Sequence, residues 1–499
     1  MADFLDINRK IFMAACYFSN SVTSYYSGIL KYLNEFLDPF WISLNSFNSL
    51  ERQKLTNHST FESMRDYISL LQFNLDVAKR GFESTINLME KYHSEQFSDY
   101  IESWLNTISG LDNQDIEAFA KKQAGLMKGL VYDYPEIIKN IKPKYGFHFD
   151  SGGYIKAAET ESFMLWQVLP TDKNVKVRKN GKPIIIIPPY VLGANILCFL
   201  PGEGKSYVHA YANQGIPTYI RIMKDIDTVP SVQTLDGEED ALQTQQFCSI
   251  VKKKHGKMVT LNGFCQGGFI AMLDIVSGAL DGLVDALITC VTPMDGTRSK
   301  ALIEYLAHLP QRFRDLGYAV KEAPSGNQIV DGKVMSWVYK LKSMDKEAPL
   351  VTFYRDLMMI ESSNMEISNT AAALTYWLLF DRNDLPVKIT QLSFDSYTIP
   401  VGEDGTLPVT LFGKKLNFKY LDKKKIKVLM CYAESDDLVD AAAALAPADF
   451  IKAEITKFPK GHGAIATSWS DPKSECALHT VFHGYRGPVR FQLDLEKEK

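Results

Sequence analysis

The sequence predicts an α/β fold with a mostly parallel sheet, preceded by an all-helical N-terminal domain. From about residue 182 onward, short apolar runs without polar alternation recur between helix-compatible segments, which is typical of strands buried on both faces. One of these runs leads through a G-x-C-x-G motif into a helix-compatible run. Roughly the first 105 residues show helical periodicity instead and contain almost no glycine.

The composition is that of a large globular protein. With 499 residues and 46% hydrophobic content, the chain can bury a sizeable core and form more than one domain. A net charge of −4 argues against nucleic acid as a partner. Seven cysteines, an odd number without paired spacing, predict a reducing, cytoplasmic location rather than a disulfide framework. We expect no secretory signal, and no transmembrane segment because Pro188-Pro189 interrupts the uncharged run 183–202.

Residues 1–110 are predicted to form the helical domain. Within it, eight apolar residues follow three- and four-residue steps that keep one apolar face in register over about four heptads. We call this set the seam: Phe61, Met64, Ile68, Leu71, Leu75, Ala78, Phe82 and Met89. The seam is either the core face of a bundle that closes on itself, or a surface for self-association or another apolar interface.

Residues 111–499 are predicted to form the catalytic domain, with a cap insertion at about 296–400 where clear strand–helix alternation stops. The run at 163–169 alternates like an antiparallel strand at the edge of a sheet. The other predicted strands lie at 182–187, 218–222, 258–261, 283–291, 426–432 and 452–458, and the predicted helices beside them at 236–251 and 269–276.

Cys265 lies in the G-x-C-x-G motif and is the candidate nucleophile. On a sharp strand-to-helix turn, Gly263 and Gly267 would let the two elements pack closely and present the thiol at the edge of the sheet. A neighbouring histidine would convert the thiol to a thiolate, which forms thioesters. The alternative is a small buried cysteine in a glycine-rich turn.

Asp436 and His462 complete a candidate triad with Cys265, because each of the three follows a predicted strand. Nucleophile, acid and histidine occur in the chain order of the α/β-hydrolase fold. His462 would take the thiol proton, and Asp436, rather than the adjacent Asp437, would orient the imidazole. Cys476, His479 and His483 share a helical spacing but have no fourth ligand nearby, so we predict no metal site.

The oxyanion-binding N–H groups are predicted at two places. One is Gln266, the residue after the nucleophile, and the other is the loop after the strand at 182–187, at Val191 and Leu192.

Several of these segments resemble the polyhydroxyalkanoate synthases, cysteine-type α/β-hydrolase-fold acyltransferases, over about residues 113–475. Asn262 to Gly268 resembles the family's cysteine box, and Pro188-Pro189-Tyr190 resembles its Pro-Pro-aromatic strand. The other similar segments are Asn383-Asp384-Leu385-Pro386, Leu407 to Gly413, Ser435-Asp436-Asp437-Leu438-Val439 and Gly461-His462. The chain departs from the family at Tyr190, Leu192 and Asp437, where the family has Trp, Asn and His.

The resemblance implies that a hydroxyacyl-CoA acylates Cys265 and that the acyl group passes to a growing polyester, without a cofactor. It also implies a cytoplasmic enzyme at a polymer granule surface, with a homodimer or a helical accessory protein as candidate partners. Pro293-Met294-Asp295 looks more like the related intracellular polyhydroxyalkanoate depolymerases. A depolymerase or thioesterase with the same triad, and a non-catalytic granule-associated binding protein, are therefore the alternatives.

Overall fold

The computed structural model describes residues 4–54, 59–111, 113–300, 303, 319–335, 344–364, 366–458, 461–465 and 473. The chain divides into two compact units. The helical unit consists of Met1–Lys142 and Trp337–Tyr376, and the sheet unit consists of Pro143–Ser336 and Trp377–Lys499.

Long helices with well-defined ends form the helical unit. Its described helices are α1 (Phe4–Lys54), α2 (Thr60–Ser109), α3 (Ile116–Lys128), a π-helical turn (Gly129–Asp133), α4 (Tyr134–Asn140), Met344–Glu347, Pro349–Ser362 and the start of Asn369–Phe380. A capping box begins α2, because the side chains of Ser59 and Glu62 each accept a hydrogen bond from the other residue's N–H. Gly110 ends α2 in the left-handed region, at φ 65°.

The helical unit extends past residue 110. Ile116, Phe119 and Ala120 of α3 are buried in one hydrophobic cluster with Ala14 of α1. The unit also takes in residues 337–376, which the sequence places in the cap insertion. Independent folding of residues 1–110 stays a prediction.

An eight-stranded sheet forms the centre of the sheet unit. The described strands of this unit are β1 (Tyr154–Glu159), β2 (Phe163–Val168), β3 (Ile184–Ile187), β4 (Thr218–Met223), β5 (Val259–Phe264), β6 (Val284–Cys290), β7 (Val320–Glu322), β8 (Gln328–Val330), β9 (Leu385–Pro386), β10 (Thr406–Leu411), β11 (Lys414–Asn417), β12 (Lys427–Ala433) and β13 (Glu454–Phe458). The strand order is β1-β2-β4-β3-β5-β6-β12-β13. β2 runs antiparallel to both neighbours, and the remaining pairs are parallel. This order is that of the α/β-hydrolase fold, so the predicted fold class is confirmed.

The strands and helices predicted for this sheet are confirmed to within a few residues. The described helices of the sheet unit are α5 (Tyr207–Ala212), α6 (Pro230–Gln233), α7 (Gly237–His255), α8 (Gln266–Val276), Val387–Thr398, Tyr420–Lys423 and Ala441–Ala444. Every residue of β3 and β5 is buried, as strands covered on both faces require. The edge strand β1, the hairpin β10–β11 and the short strands β7 to β9 were not predicted, because none of them contains a long apolar run.

All eight residues of the seam are exposed in the structure, with Phe61 at 78% and Leu75 at 61%. The interpretation of a bundle that closes on this face is therefore wrong for these residues. Two buried side chains of α2, Thr85 and Tyr92, lie off the seam. Within the described part of the chain, no helix is long and apolar enough to cross a membrane.

Candidate active site

Cys265 occupies a strained turn between β5 and α8. Its backbone has φ 51° and ψ −126°, a conformation that residues other than glycine rarely adopt. The N–H of Cys265 donates a hydrogen bond to the carbonyl oxygen of Cys290 on β6 at 2.8 Å. The cysteine therefore lies on a nucleophile elbow, and it is 6% exposed.

Three glycines allow the close packing that this turn requires. A Cβ at Gly263 would lie 2.2 Å from the Cα of Gly268, and a Cβ at Gly267 would lie 2.2 Å from the carbonyl oxygen of Ile187. A Cβ at Gly268 would lie 2.0 Å from Oγ1 of Thr292. Strand and helix thus approach more closely than any larger residue allows, and Gly268 adds a third such position to the two predicted.

His462 and Asp436 form the expected pair. His462 Nδ1 lies 2.8 Å from Asp436 Oδ2. The other carboxylate oxygen, Oδ1, accepts hydrogen bonds from the N–H groups of Leu438 and Val439, both at 2.9 Å. These backbone N–H groups hold the Asp436 carboxylate in place, and the carboxylate in turn orients the imidazole of His462. Asp437 is exposed.

Both members of this pair have shifted pKa values. Burial alone would lower the pKa of His462, but the Asp436 carboxylate and the sulfur of Cys265 raise it well above its usual value. Burial raises the pKa of Asp436, but His462 and the N–H donors outweigh burial and lower it. Nε2 of His462 is buried, and no described residue gives it a hydrogen bond of ordinary geometry. The ring can therefore accept a proton on the side of Cys265.

The side chain of Gln266 holds the loop formed by residues 190–192, which we call the oxyanion loop. Its Oε1 accepts hydrogen bonds from the N–H groups of Tyr190 and Val191, each at 3.0 Å. Its Nε2 donates to Ser393 Oγ at 2.5 Å. The N–H of Val191 is therefore available to a substrate only if this side chain moves. The backbone N–H of Gln266 lies at the first position of α8, where a helix has no intrahelical acceptor.

Leu192 is held from a second direction. The indole Nε1 of Trp377 donates a hydrogen bond to the Leu192 carbonyl oxygen at 3.2 Å. The backbone N–H groups of Gln266, Val191 and Leu192 were predicted from the sequence. The side chains that position this backbone, those of Gln266, Ser393 and Trp377, were not. Side-chain partners from distant segments carry no local signal in the sequence.

Three other features outside the elbow were candidates for a site: a metal-binding cluster, Asp295 and a surface cavity. No group of three or more His, Cys, Asp or Glu among the described residues could hold a metal ion, and Cys476, His479 and His483 lie outside those residues. Asp295 is buried and accepts hydrogen bonds from Thr297 and, at 3.4 Å, from the N–H of Val401, so its carboxylate organises a turn. A surface cavity of about 690 Å³ is lined by Val276 and lies at the opposite end of α8 from the elbow.

Comparisons with known proteins return low similarity. No family profile and no curated protein matches the chain. Among solved structures, Est1E from Butyrivibrio proteoclasticus is 12% identical with a TM-score of 0.34, covering 69% of this chain and 100% of its own. The α/β hydrolase GrgF from Penicillium sp. sh18 is 14% identical with a TM-score of 0.32, covering 69% of this chain and 97% of its own. The strand order of the sheet and the elbow at Cys265 are what identify the fold.

Proposed function

We propose that the chain is a polyhydroxyalkanoate synthase-like acyltransferase that transfers hydroxyacyl groups from CoA thioesters through a Cys265 acyl-enzyme. The observation that carries this proposal is the arrangement at the elbow. A cysteine on a strained turn interacts with a histidine whose Nδ1 is 2.8 Å from Asp436 Oδ2. That is the set of groups that acyl transfer to a thiol requires.

In the first step, the proton of Cys265 Sγ passes to His462 Nε2, a transfer that the raised pKa of the imidazole favours, and the sulfur attacks the carbonyl carbon of the hydroxyacyl-CoA. The backbone N–H groups of Gln266 and Leu192 stabilise the oxyanion that develops. The tetrahedral intermediate collapses, the carbon–sulfur bond to CoA breaks, and the CoA thiolate takes the proton from His462. The product is a thioester on Cys265.

In the second step, a hydroxyl group replaces the thiol as the nucleophile. His462 takes its proton while the oxygen attacks the acyl-enzyme, and Cys265 leaves and regains the proton. The result is a new ester bond and a free thiol. Cys265 is only 6% exposed, and this burial supports transfer to a hydroxyl because it keeps the acyl-enzyme away from bulk water.

Hydrolysis is the second candidate, since water could replace the hydroxyl at the same acyl-enzyme in a depolymerase or thioesterase. Pro293-Met294-Asp295 favours it, by its likeness to intracellular depolymerases. A non-catalytic granule protein has less support, because binding alone requires neither the strained backbone of Cys265 nor the hydrogen bond between Asp436 and His462.

The test is incubation of the protein with 3-hydroxybutyryl-CoA while free CoA and polymer are measured in parallel. We expect CoA release with polymer, and a loss of about 10³-fold or more in Cys265→Ala. Cys248→Ala is the matched control, because Cys248 is fully buried on α7 and should leave turnover unchanged. CoA release with free 3-hydroxybutyrate alone would assign the hydrolytic alternative. Full activity of Cys265→Ala would overturn both.

A further inference from the structure

A buried ion pair joins strand β4 to helix α7 and contacts Tyr190 of the oxyanion loop. Arg221 Nη1 on β4 is 2.6 Å from Asp240 Oδ1 on α7, and their side chains are 2% and 0% exposed. The same Nη1 is 2.6 Å from Thr244 Oγ1, and the guanidinium carbon lies 4.2 Å from the centre of the Phe163 ring. The guanidinium of Arg221 is therefore held in position by Asp240, Thr244 and Phe163 together.

Stability is a weak reason for such a pair. Removing both charges from water carries a desolvation cost, and apolar residues of the same volume often stabilise a core equally well. A buried pair instead fixes geometry, since its donors and acceptors satisfy one another in a single arrangement. The pair is therefore best explained by what it holds in place.

Tyr190 connects the pair to the oxyanion loop. Its hydroxyl donates a hydrogen bond to Asp240 Oδ2 and lies 3.4 Å from Arg221 Nη2. Burial and the nearby Asp240 carboxylate raise the pKa of Tyr190 well above its usual value, so the phenol keeps the proton that it donates. Tyr190 directly precedes Val191, and the N–H groups of both residues donate to Gln266 Oε1.

We propose that Tyr190 is a positioning residue for acyl transfer at Cys265, because its phenol, anchored on the buried ion pair, fixes the backbone of the oxyanion loop. The inference rests on the proposed function. Gln266 and Trp377 hold the same loop from two other directions, so the loop has three anchors around its peptide groups. Such anchoring matters because N–H donors stabilise an oxyanion only when they are already aimed at its position.

Two reactions of the same thiol separate positioning from general damage. Acylation of Cys265 by p-nitrophenyl butyrate develops an oxyanion, whereas alkylation by iodoacetamide substitutes at a saturated carbon and develops none. Tyr190→Phe removes the hydroxyl and keeps the ring. We expect a 10- to 100-fold loss of the acylation rate with KM changed less than about threefold, and an unchanged alkylation rate.

Tyr219→Phe is the matched control. Tyr219 is also fully buried and lies on β4 with Arg221, but its hydroxyl pairs with His255 Nε2 at 2.8 Å. Both substitutions delete one buried hydroxyl, so their melting temperatures should fall by similar amounts. Only Tyr190→Phe should lose acylation.

Each other outcome is decisive. Equal loss of acylation and alkylation in Tyr190→Phe, or loss of neither, would overturn the positioning role. Wild-type protein that is alkylated but not acylated would overturn the proposed function, and the inference with it. If Tyr190→Phe does not fold, Asp240→Asn is measured instead, because an amide keeps the side-chain volume and accepts the hydrogen bond of the phenol more weakly than a carboxylate does, while the alkylation rate reports any general damage from the unpaired Arg221. The same selective loss is expected there, and normal acylation would refute the inference.

Discussion

At the scale of single residues, the candidate site depends on close packing around one strained backbone. Cys265 keeps a φ of 51° because Gly263 and Gly267 let α8 lie against β5 and β3. A methyl group at either glycine would collide with backbone atoms at 2.2 Å, and backbone cannot move aside as a flexible side chain can. The reactivity of the thiol therefore depends on residues that have no chemistry of their own.

Two adjacent carboxylates offer a sharp test of the triad. Asp436→Asn should lower kcat with 3-hydroxybutyryl-CoA by about 10³- to 10⁴-fold, because an amide at this position favours the wrong imidazole tautomer. Asp437→Asn is the control and should lower kcat by no more than a few-fold, because Asp437 is exposed and His462 is hydrogen-bonded to Asp436. The reverse ranking would assign the acid to Asp437.

The Asp436–His462 pair also predicts a pH dependence of stability. The lowered pKa of Asp436 stabilises the fold above about pH 4, its unfolded value, and this contribution disappears as pH falls through the folded pKa. The raised pKa of His462 stabilises the fold fully below about pH 6.5 and loses this effect as pH rises through the folded pKa. The melting-temperature difference between wild type and Asp436→Asn should therefore be largest between about pH 4 and 6.5. A difference that keeps growing above neutral pH would contradict this assignment.

At the scale of elements, the exposed seam of α2 is the feature that the described chain leaves uncovered. Its seven large side chains expose between 39% and 78% of their surface. Leaving such residues in water costs roughly 1.5–3 kcal/mol each if fully exposed. The interpretation as a surface for self-association or another apolar interface therefore gains support.

Substitution of Leu71, Leu75 and Phe82 together by Gln tests the seam. In the monomer these side chains are 60% or more exposed, so the melting temperature should hardly change while self-association falls in sedimentation experiments. The matched control is Leu242→Gln with Ile250→Gln on α7, each 44% exposed and outside the seam. Unchanged self-association would show that the seam is not the surface through which copies of the chain associate.

At the scale of the whole molecule, all candidate catalytic residues belong to the sheet unit. The helical unit draws on two separate parts of the chain, one before the eight-stranded sheet and one between its strands β6 and β12, so its folding depends on both parts. A truncation near residue 105 removes α1 and nearly all of α2, and it uncovers Ile116 and Phe119, which pack with Ala14.

Deleting residues 1–105 should leave the sheet unit folded and Cys265 reactive to iodoacetamide, because the sheet and the elbow lie in the other unit. Deletion of residues 1–142 is the matched comparison, since it also removes the uncovered α3 and should yield less aggregate. Circular dichroism and alkylation rates report the two properties separately. Unfolding of both truncated proteins would show that the catalytic unit requires the N-terminal helices.

Much of the sheet could be predicted because its signals are local. A strand buried on both faces needs a continuous run of apolar residues. The runs that form β3, β5 and β12 can therefore each be recognised in the sequence without knowledge of the other strands. The short strands β7 to β9 and the half-exposed β1 lack such runs, so they could not be predicted in this way. The candidate triad could also be predicted from local signals. Cys265, Asp436 and His462 each follow a strand, and they occur in the chain order nucleophile, acid and histidine that is typical of the α/β-hydrolase fold.

The sequence by itself therefore determined the fold class, the position of the elbow and the residues that meet there, because composition and spacing encode each of them locally. Only the tertiary structure decided which side chains hold the oxyanion loop, since Arg221, Asp240 and Trp377 reach it from separate segments. It also decided that the seam faces solvent. Heptad spacing requires that one face of a helix be apolar, but what covers that face depends on the neighbouring elements, which spacing does not specify.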